Sequence, residues 1–235
     1  MFICNKEIVT NNSIMKKITI VLFFYFGLTA FMPAQNKTRI VFFGDSITEA
    51  GVEPGGYITK IKEQFKQLGI DSNYELIGAG VGGNKVYDLY LRMDEDVLSK
   101  NPDVVVIWIG VNDVWHKRSL GTGTDAEKFI QFYNAIIKKL QDKKIHIILC
   151  TPAVVGEKTD MTNELDGDLN KYSAIIREIA KSNYCRLIDF RKIFIEYNLS
   201  KNKDNMESGI LTKDKVHLNS KGNEIVAKEI LKAIL

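Results

Sequence analysis

Short, almost uninterrupted apolar runs alternating with stretches of helical periodicity restrict this chain to one kind of architecture. The runs are Arg39–Phe43, Tyr74–Ile77, Val104–Ile109, Ile145–Cys150 and Arg186–Ile188. Runs of this length without polar alternation mark strands covered on both faces, as in a parallel sheet. Between them, apolar residues recur at helical spacing in Tyr57–Leu68, Val86–Leu98, Ala126–Leu140 and Leu169–Ala180, and again in Ser220–Ile234 after the last run. Phe129, Ile130, Tyr133, Ile136, Ile137 and Leu140 share one helix face. Alternating strand and helix predicts a parallel sheet with helices on both sides. Five strands in this rhythm predict the flavodoxin-like order 2-1-3-4-5.

That order has a functional consequence. Ligands of such sheets bind beyond the carboxyl ends of the strands, where the strand order reverses between strands 1 and 3. Gly44-Asp45-Ser46-Ile47-Thr48 follows strand 1. Gly78-Ala79-Gly80-Val81-Gly82-Gly83-Asn84 follows strand 2, and Gly110-Val111-Asn112-Asp113 follows strand 3. These three loops converge on one crevice.

A serine on a tight turn at a strand tip is a candidate nucleophile, but a free hydroxyl needs a base to take its proton. The chain has three histidines. His146 lies within a strand and reads as a core or edge residue. His116 follows the Asn112 loop and can face a substrate. His217, in Asp214-Lys215-Val216-His217, has an acid three residues earlier that can hold an imidazole in the required tautomer. Ser46, His217 and Asp214 are therefore the candidate catalytic residues. The backbone N–H groups of Ser46 and Gly80 and the Asn112 amide are candidate donors to a developing oxyanion. Asp45, Trp115 and His116 are candidates for substrate contact, Asp45 alternatively shaping the turn through bonds to loop amides.

These four blocks resemble those of the SGNH (GDSL-type) hydrolases. Gly44-Asp45-Ser46, Gly80, Gly110-x-Asn112-Asp113 and Asp214-x-x-His217 occur in the family's order, and the resemblance spans about residues 38 to 235. It implies a three-layer α/β/α sandwich and hydrolysis of carboxylic esters with no metal or cofactor. It also implies the roles above: Ser46 as nucleophile, His217 as base, Asp214 as its partner, and Ser46, Gly80 and Asn112 as the oxyanion hole. One departure is visible: many members carry Asn two residues before the block-two glycine, where this chain has Gly78. No long apolar stretch in Trp115–Asp125 or Val154–Asp168 resembles a lid for long acyl chains. Short-chain esters, including O-acetyl groups on carbohydrates, are the expected substrates, with lysophospholipid or thioester hydrolysis as the alternative within the family.

Two readings from other classes compete. Gly78-x-Gly80-x-x-Gly83 matches a dinucleotide-binding fingerprint, but it follows the second strand and lacks the acidic residue about 20 positions on. A non-catalytic binding module is the other rival.

The rest of the chain bounds location and partners. Met15-Lys16-Lys17 precedes the apolar stretch Ile18–Met32, the pattern of a secretory signal peptide. That stretch is shorter than the ~20 residues of a membrane-spanning helix, although an uncleaved anchor is the competing reading. Residues 1–34 are thus assigned to an N-terminal extension plus signal peptide, and 35–235 to one hydrolase domain. The expected location is periplasmic or secreted. With Lys6, Lys16, Lys17 and Glu7 removed, the remainder carries a net charge of +1. Nothing in that balance calls for nucleic acid or an anionic membrane. Cys150 ends one strand and Cys185 begins the next, at opposite ends of a parallel sheet. Two free, buried thiols are expected.

Overall fold

The computed structural model describes Met1 and residues 36–235, so the signal-peptide and extension assignments lie outside the described residues. The elements follow in the order β1 (Thr38–Gly44), α1 (Ser46–Glu49), α2 (Tyr57–Gln67), β2 (Tyr74–Gly80), α3 (Val86–Asp96), β3 (Val104–Trp108), α4 (Val111–Ser119), α5 (Ala126–Asp142), β4 (His146–Cys150), α6 (Asp166–Ser182), β5 (Arg186–Ile188), α7 (Phe190–Lys201) and α8 (Ser220–Ile234). The sheet has five strands in the order β2-β1-β3-β4-β5, and every pairing is parallel. This is the predicted α/β/α sandwich.

The two faces of the sheet explain the uninterrupted apolar runs. Successive strand residues point to opposite faces. Ile40 and Phe42 of β1 pack with Ile58, Ile61 and Phe65 of α2, Phe190 and Phe194 of α7 and Val226 and Ile230 of α8. Val41 and Phe43 pack with Leu89 and Met93 of α3, Phe129, Tyr133 and Ile136 of α5 and Leu169 and Ile176 of α6. Both sets are fully buried, so no position of β1 between Ile40 and Phe43 tolerates a polar residue.

Several expectations need correction. His146 is exposed at the amino end of β4, away from the core. The strand begins there, one residue after the expected start, so its side chain escapes the helices that bury Ile147 and Ile148. Cys150 is buried and Cys185 only half-buried; both are free. The span Trp115–Asp125, read from sequence as a loop bordering the site, begins on a helix: Trp115 and His116 lie on α4. No helix among the described residues is long and apolar enough to cross a membrane.

Candidate active site

Ser46 is placed by the abrupt change from strand to helix. Gly44 ends β1 in register with Gly80 of β2 and Trp108 of β3. A Cβ on Gly44 would lie 2.3 Å from Thr48 Oγ1 and 2.5 Å from the Trp108 carbonyl oxygen, so the turn closes only around glycine. Asp45 is the N-cap: extended at φ −100°, ψ −151°, it accepts the Ile47 N–H through its carboxylate at 3.0 Å. Asp45 is buried with its carboxylate turned onto the Ile47 N–H, so it shapes the turn, the alternative reading of its place among the contact candidates. Burial pushes its carboxyl up to about 7, against the pull of the Ile47 N–H and with a further push from the Asp113 charge.

The base arrives from the other end of the chain. His217 Nε2 lies 2.9 Å from Ser46 Oγ across 171 residues of sequence. His217 Nδ1 lies 2.8 Å from Asp214 Oδ2. Asp214 Oδ1 accepts the backbone N–H of His217 at 2.7 Å and that of Val216 at 3.2 Å. Desolvation works against this carboxylate, but those His217 and Val216 bonds hold it below its ordinary range. The structure thus brings Ser46, His217 and Asp214 into one hydrogen-bonded line.

The loop carrying that pair is braced from both sides. Thr212 and Leu218 form an antiparallel bridge, the Lys213 N–H donates to the His217 carbonyl at 2.8 Å, and Lys215 turns the loop with φ +80°. Asn219 then caps α8 by accepting the Gly222 N–H at 3.0 Å. From beneath, Glu157 accepts the N–H groups of Ile210 at 2.9 Å, Leu211 at 2.6 Å and Thr212 at 3.0 Å. Glu157 is 1% exposed and was not among the candidates read from sequence. An isolated glutamate in a loop reads as solvated surface, and its partners are more than 50 residues away. No local sequence signal marks it.

Gly80 and Asn112 are held in different ways. Gly44 pairs with Gly80, and its carbonyl accepts the Val81 N–H at 3.2 Å. The Ala79 carbonyl therefore faces β1, and the Gly80 N–H faces the open edge of the sheet and not Ser46, which corrects its place among the oxyanion donors. A Cβ on Gly80 would meet Glu49 N at 2.0 Å and Thr48 C at 2.5 Å, so only glycine lets β2 end against the helix that starts at Ser46. A Cβ on Gly82 would lie 3.9 Å from Ser46 Cβ. Asn112 sits in the first turn of α4, 2% exposed, and donates one amide N–H to the Asn84 carbonyl at 3.1 Å. A primary amide has a second N–H, which this bond leaves available. Asp113 beside it is fully buried and accepts the Val86 N–H, and burial pushes its carboxyl up to about 7.

The glycine pattern that resembled a dinucleotide fingerprint has a packing explanation. A Cβ on Gly78 would lie 2.3 Å from Val52 Cγ1, and Gly80 is occupied by the Ser46 helix. Both glycines admit close contact with the segment after β1. Val52 fills the space that a side chain at position 78 needs, which accounts for the departure there.

Trp115 and His116 diverge. Trp115 is half-buried and lines a cavity of about 600 Å³ with Arg118, Val155, Lys158, Glu207, Asp214 and Lys215. His116 faces the glycine loop, its Cε1 3.8 Å from a Cβ built on Gly83. Its Nδ1 is buried without a hydrogen-bond partner among the described residues. Burial, and then the Lys85 charge, holds its pKa below the ordinary imidazole value.

Comparison with known proteins supports the same reading of the fold. Residues 42–225 match the GDSL-like Lipase/Acylhydrolase family. An acetylxylan esterase of Geobacillus stearothermophilus is 27% identical over 220 residues, covering 86% of this chain and 96% of that protein. The crystal structure of the acetyl xylan esterase AlAXEase is 61% identical, with a TM-score of 0.83 over 84% of this chain and all of that one. A lipoprotein of Bacillus subtilis, YqeF, is 25% identical over 90% of this chain and 95% of its own length.

Proposed function

The chain belongs to the GDSL-like lipase/acylhydrolase family, and from that premise we propose that it is a serine esterase removing O-acetyl groups from carbohydrates of the xylan type. It is a carboxylic ester hydrolase, as the family and the acetylxylan esterases similar to it indicate. The observation that carries the catalytic reading is the unbroken line from Asp214 through His217 to Ser46, with separations of 2.8 and 2.9 Å.

In this mechanism His217 Nε2 takes the Ser46 hydroxyl proton as Oγ attacks the acetyl carbonyl. The oxyanion that forms is met by the Ser46 N–H and the free N–H of Asn112. The tetrahedral intermediate collapses, His217 returns the proton to the departing sugar oxygen, and an acetyl-serine remains. Water then gives its proton to His217 and attacks the acetyl carbon, and acetate leaves as Ser46 regains its proton. Asp214 holds the imidazole with Nε2 toward the serine and stabilises the imidazolium.

Sugar contacts fall to Trp115, through its ring in the cavity beside Asp214, and to the half-buried ring of His116 at the edge of the glycine loop. Export, through a signal peptide within residues 1–34, completes the reading, since acetylated plant polymers lie outside the cell. Sequencing the amino terminus of the protein recovered from culture medium or periplasm tests it; a terminus at Met1 or Met15 in a cytoplasmic fraction would refute export.

The deciding assay compares acetate release from acetylated xylo-oligosaccharides and from 4-nitrophenyl acetate with release of longer acyl groups. Rapid deacetylation that falls steeply beyond short acyl chains is expected. Preference for long acyl esters or for lysophospholipid would reject the carbohydrate reading.

A further inference from the structure

We propose that Asp88 is a positioning residue of the oxyanion hole, acting through the Asn84–Lys85 peptide that anchors Asn112. This rests on the reading of Asn112 as an oxyanion donor.

Three successive backbone groups between β2 and α3 are each bonded by one side chain. The Asn84 carbonyl accepts an amide N–H of Asn112 at 3.1 Å. The Lys85 N–H donates to Asp88 Oδ2 at 2.8 Å. The Val86 N–H donates to Asp113 Oδ1 at 3.2 Å. Asn112 and Asp113 are neighbours in the first turn of α4, and Asp88 lies in the first turn of α3. Two adjacent residues of α4 therefore grip the loop, and Asp88 holds the N–H between their two bonds. The buried Lys85 ammonium donates to the Gly83 carbonyl at 3.0 Å and stands 4.0 Å from the same Asp88 oxygen, which keeps the carboxylate over the loop.

The Asn84 carbonyl and the Lys85 N–H belong to a single planar peptide and point in opposite directions. A carboxylate on that N–H fixes the line along which the oxygen meets the Asn112 amide. It also pushes electron density onto the oxygen, which makes it a stronger acceptor. A primary amide is planar, so holding one N–H of Asn112 on the Asn84 oxygen sets the direction of the other. That other N–H is the one read as a donor to the oxyanion. A donor fixed before reaction meets the developing charge without reorganising. Asp88 also caps α3, as an acid at this helix position commonly does. What ties it to the site is the far end of the peptide it bonds, where the carbonyl anchors Asn112.

The test compares Asp88→Ala, Asp88→Asn and Asn112→Ala, with each Asp88 substitution repeated on the Asn112→Ala background, reading kcat, KM and melting temperature with 4-nitrophenyl acetate. Asp88→Ala is expected to keep KM within about twofold and to lose roughly 10- to 30-fold in kcat, less than a lost donor costs. Asp88→Asn keeps an acceptor oxygen without its charge and is expected to recover most of that, losing about three- to fivefold. It carries the test if Asp88→Ala fails to fold. On the Asn112→Ala background either substitution is expected to change kcat by less than about twofold, because its route to the oxyanion is gone. A cap with no part in the site would lower the melting temperature and leave kcat unaltered. Wild-type kcat in either Asp88 variant, or the same fold-loss with and without Asn112, would overturn the assignment of Asp88 while leaving the hole intact. Wild-type kcat in Asn112→Ala would overturn the donor reading of Asn112 and the assignment with it.

Discussion

At the residue scale, chemistry depends on a few atoms held at hydrogen-bond distance. Ser46→Ala is expected to remove turnover, by roughly 10⁴-fold or more in kcat, with an unchanged unfolding transition, because the hydroxyl bonds only the imidazole. Asp214→Asn separates two duties of that carboxylate. An amide oxygen can still accept the Val216 and His217 backbone N–H groups, so the loop should keep its shape. It no longer fixes the imidazole tautomer, and kcat should fall about 10⁴-fold, less than for His217→Ala. Steady-state kinetics with circular dichroism on the purified variants check both; near-wild-type turnover in either His217→Ala or Ser46→Ala would reject the mechanism. Residue identity made Ser46, Asp214 and His217 legible, because nucleophile, base and acid are types with few other uses together. Asp45 was legible only as a polar residue in the motif. That it caps the first helical turn depends on where its carboxylate is turned, onto the Ile47 N–H, a property of the folded turn.

At the element scale, the Asp214–His217 loop is held by side chains that belong to other parts of the chain. Glu157→Ala leaves the N–H groups of Ile210, Leu211 and Thr212 without their acceptor. Unpaired buried donors are costly, and a loss of about 3 kcal/mol or more in urea unfolding is expected, accompanied by a fall in kcat as His217 drifts from Ser46. Glu157→Gln retains an acceptor oxygen and should lie between. Unaltered stability in Glu157→Ala would show that the loop stands without the brace. The elements themselves were unequally legible. The five strands and the helices α2, α3, α5, α6 and α8 present regular apolar stripes. α7 buries Arg191 and Asn198 along with Phe190 and Phe194, which breaks the stripe. Apart from Lys117 and Arg118, α4 is made of β-branched, aromatic and short polar residues with weak helix preference. It is helical because its first turn, Val111 to Val114, is packed beneath the site. α1 is a single turn, too short to show any period.

At the scale of the whole molecule, the site sits above two buried acids, and that placement ties stability to pH. Burial raises Asp45 and Asp113 from the ordinary carboxylate value of 3.8 to about 7 in the folded protein. Between ~4 and about 7 the folded state therefore binds more protons than the unfolded chain, and linkage requires stability to fall as pH rises through that window. Asp214 acts with the opposite sign. Its depressed pKa adds stability above ~4 that is lost as pH falls below it. Melting temperature followed from pH 4 to 8 should decline, and Asp113→Asn should flatten the decline; equal slopes in the two proteins would discount Asp113. The order of residues was enough to give the sheet, its strand order and the identity of the chemical groups, because strand burial and catalytic residue types leave local patterns. Which groups meet, and what holds them there, emerged from the folded chain alone. Ser46 and His217 lie 171 positions apart, and Glu157 and Asp113 bond backbone groups of distant segments. Contacts to backbone atoms impose no matching side chain on the partner, so they leave no trace in the order of residues.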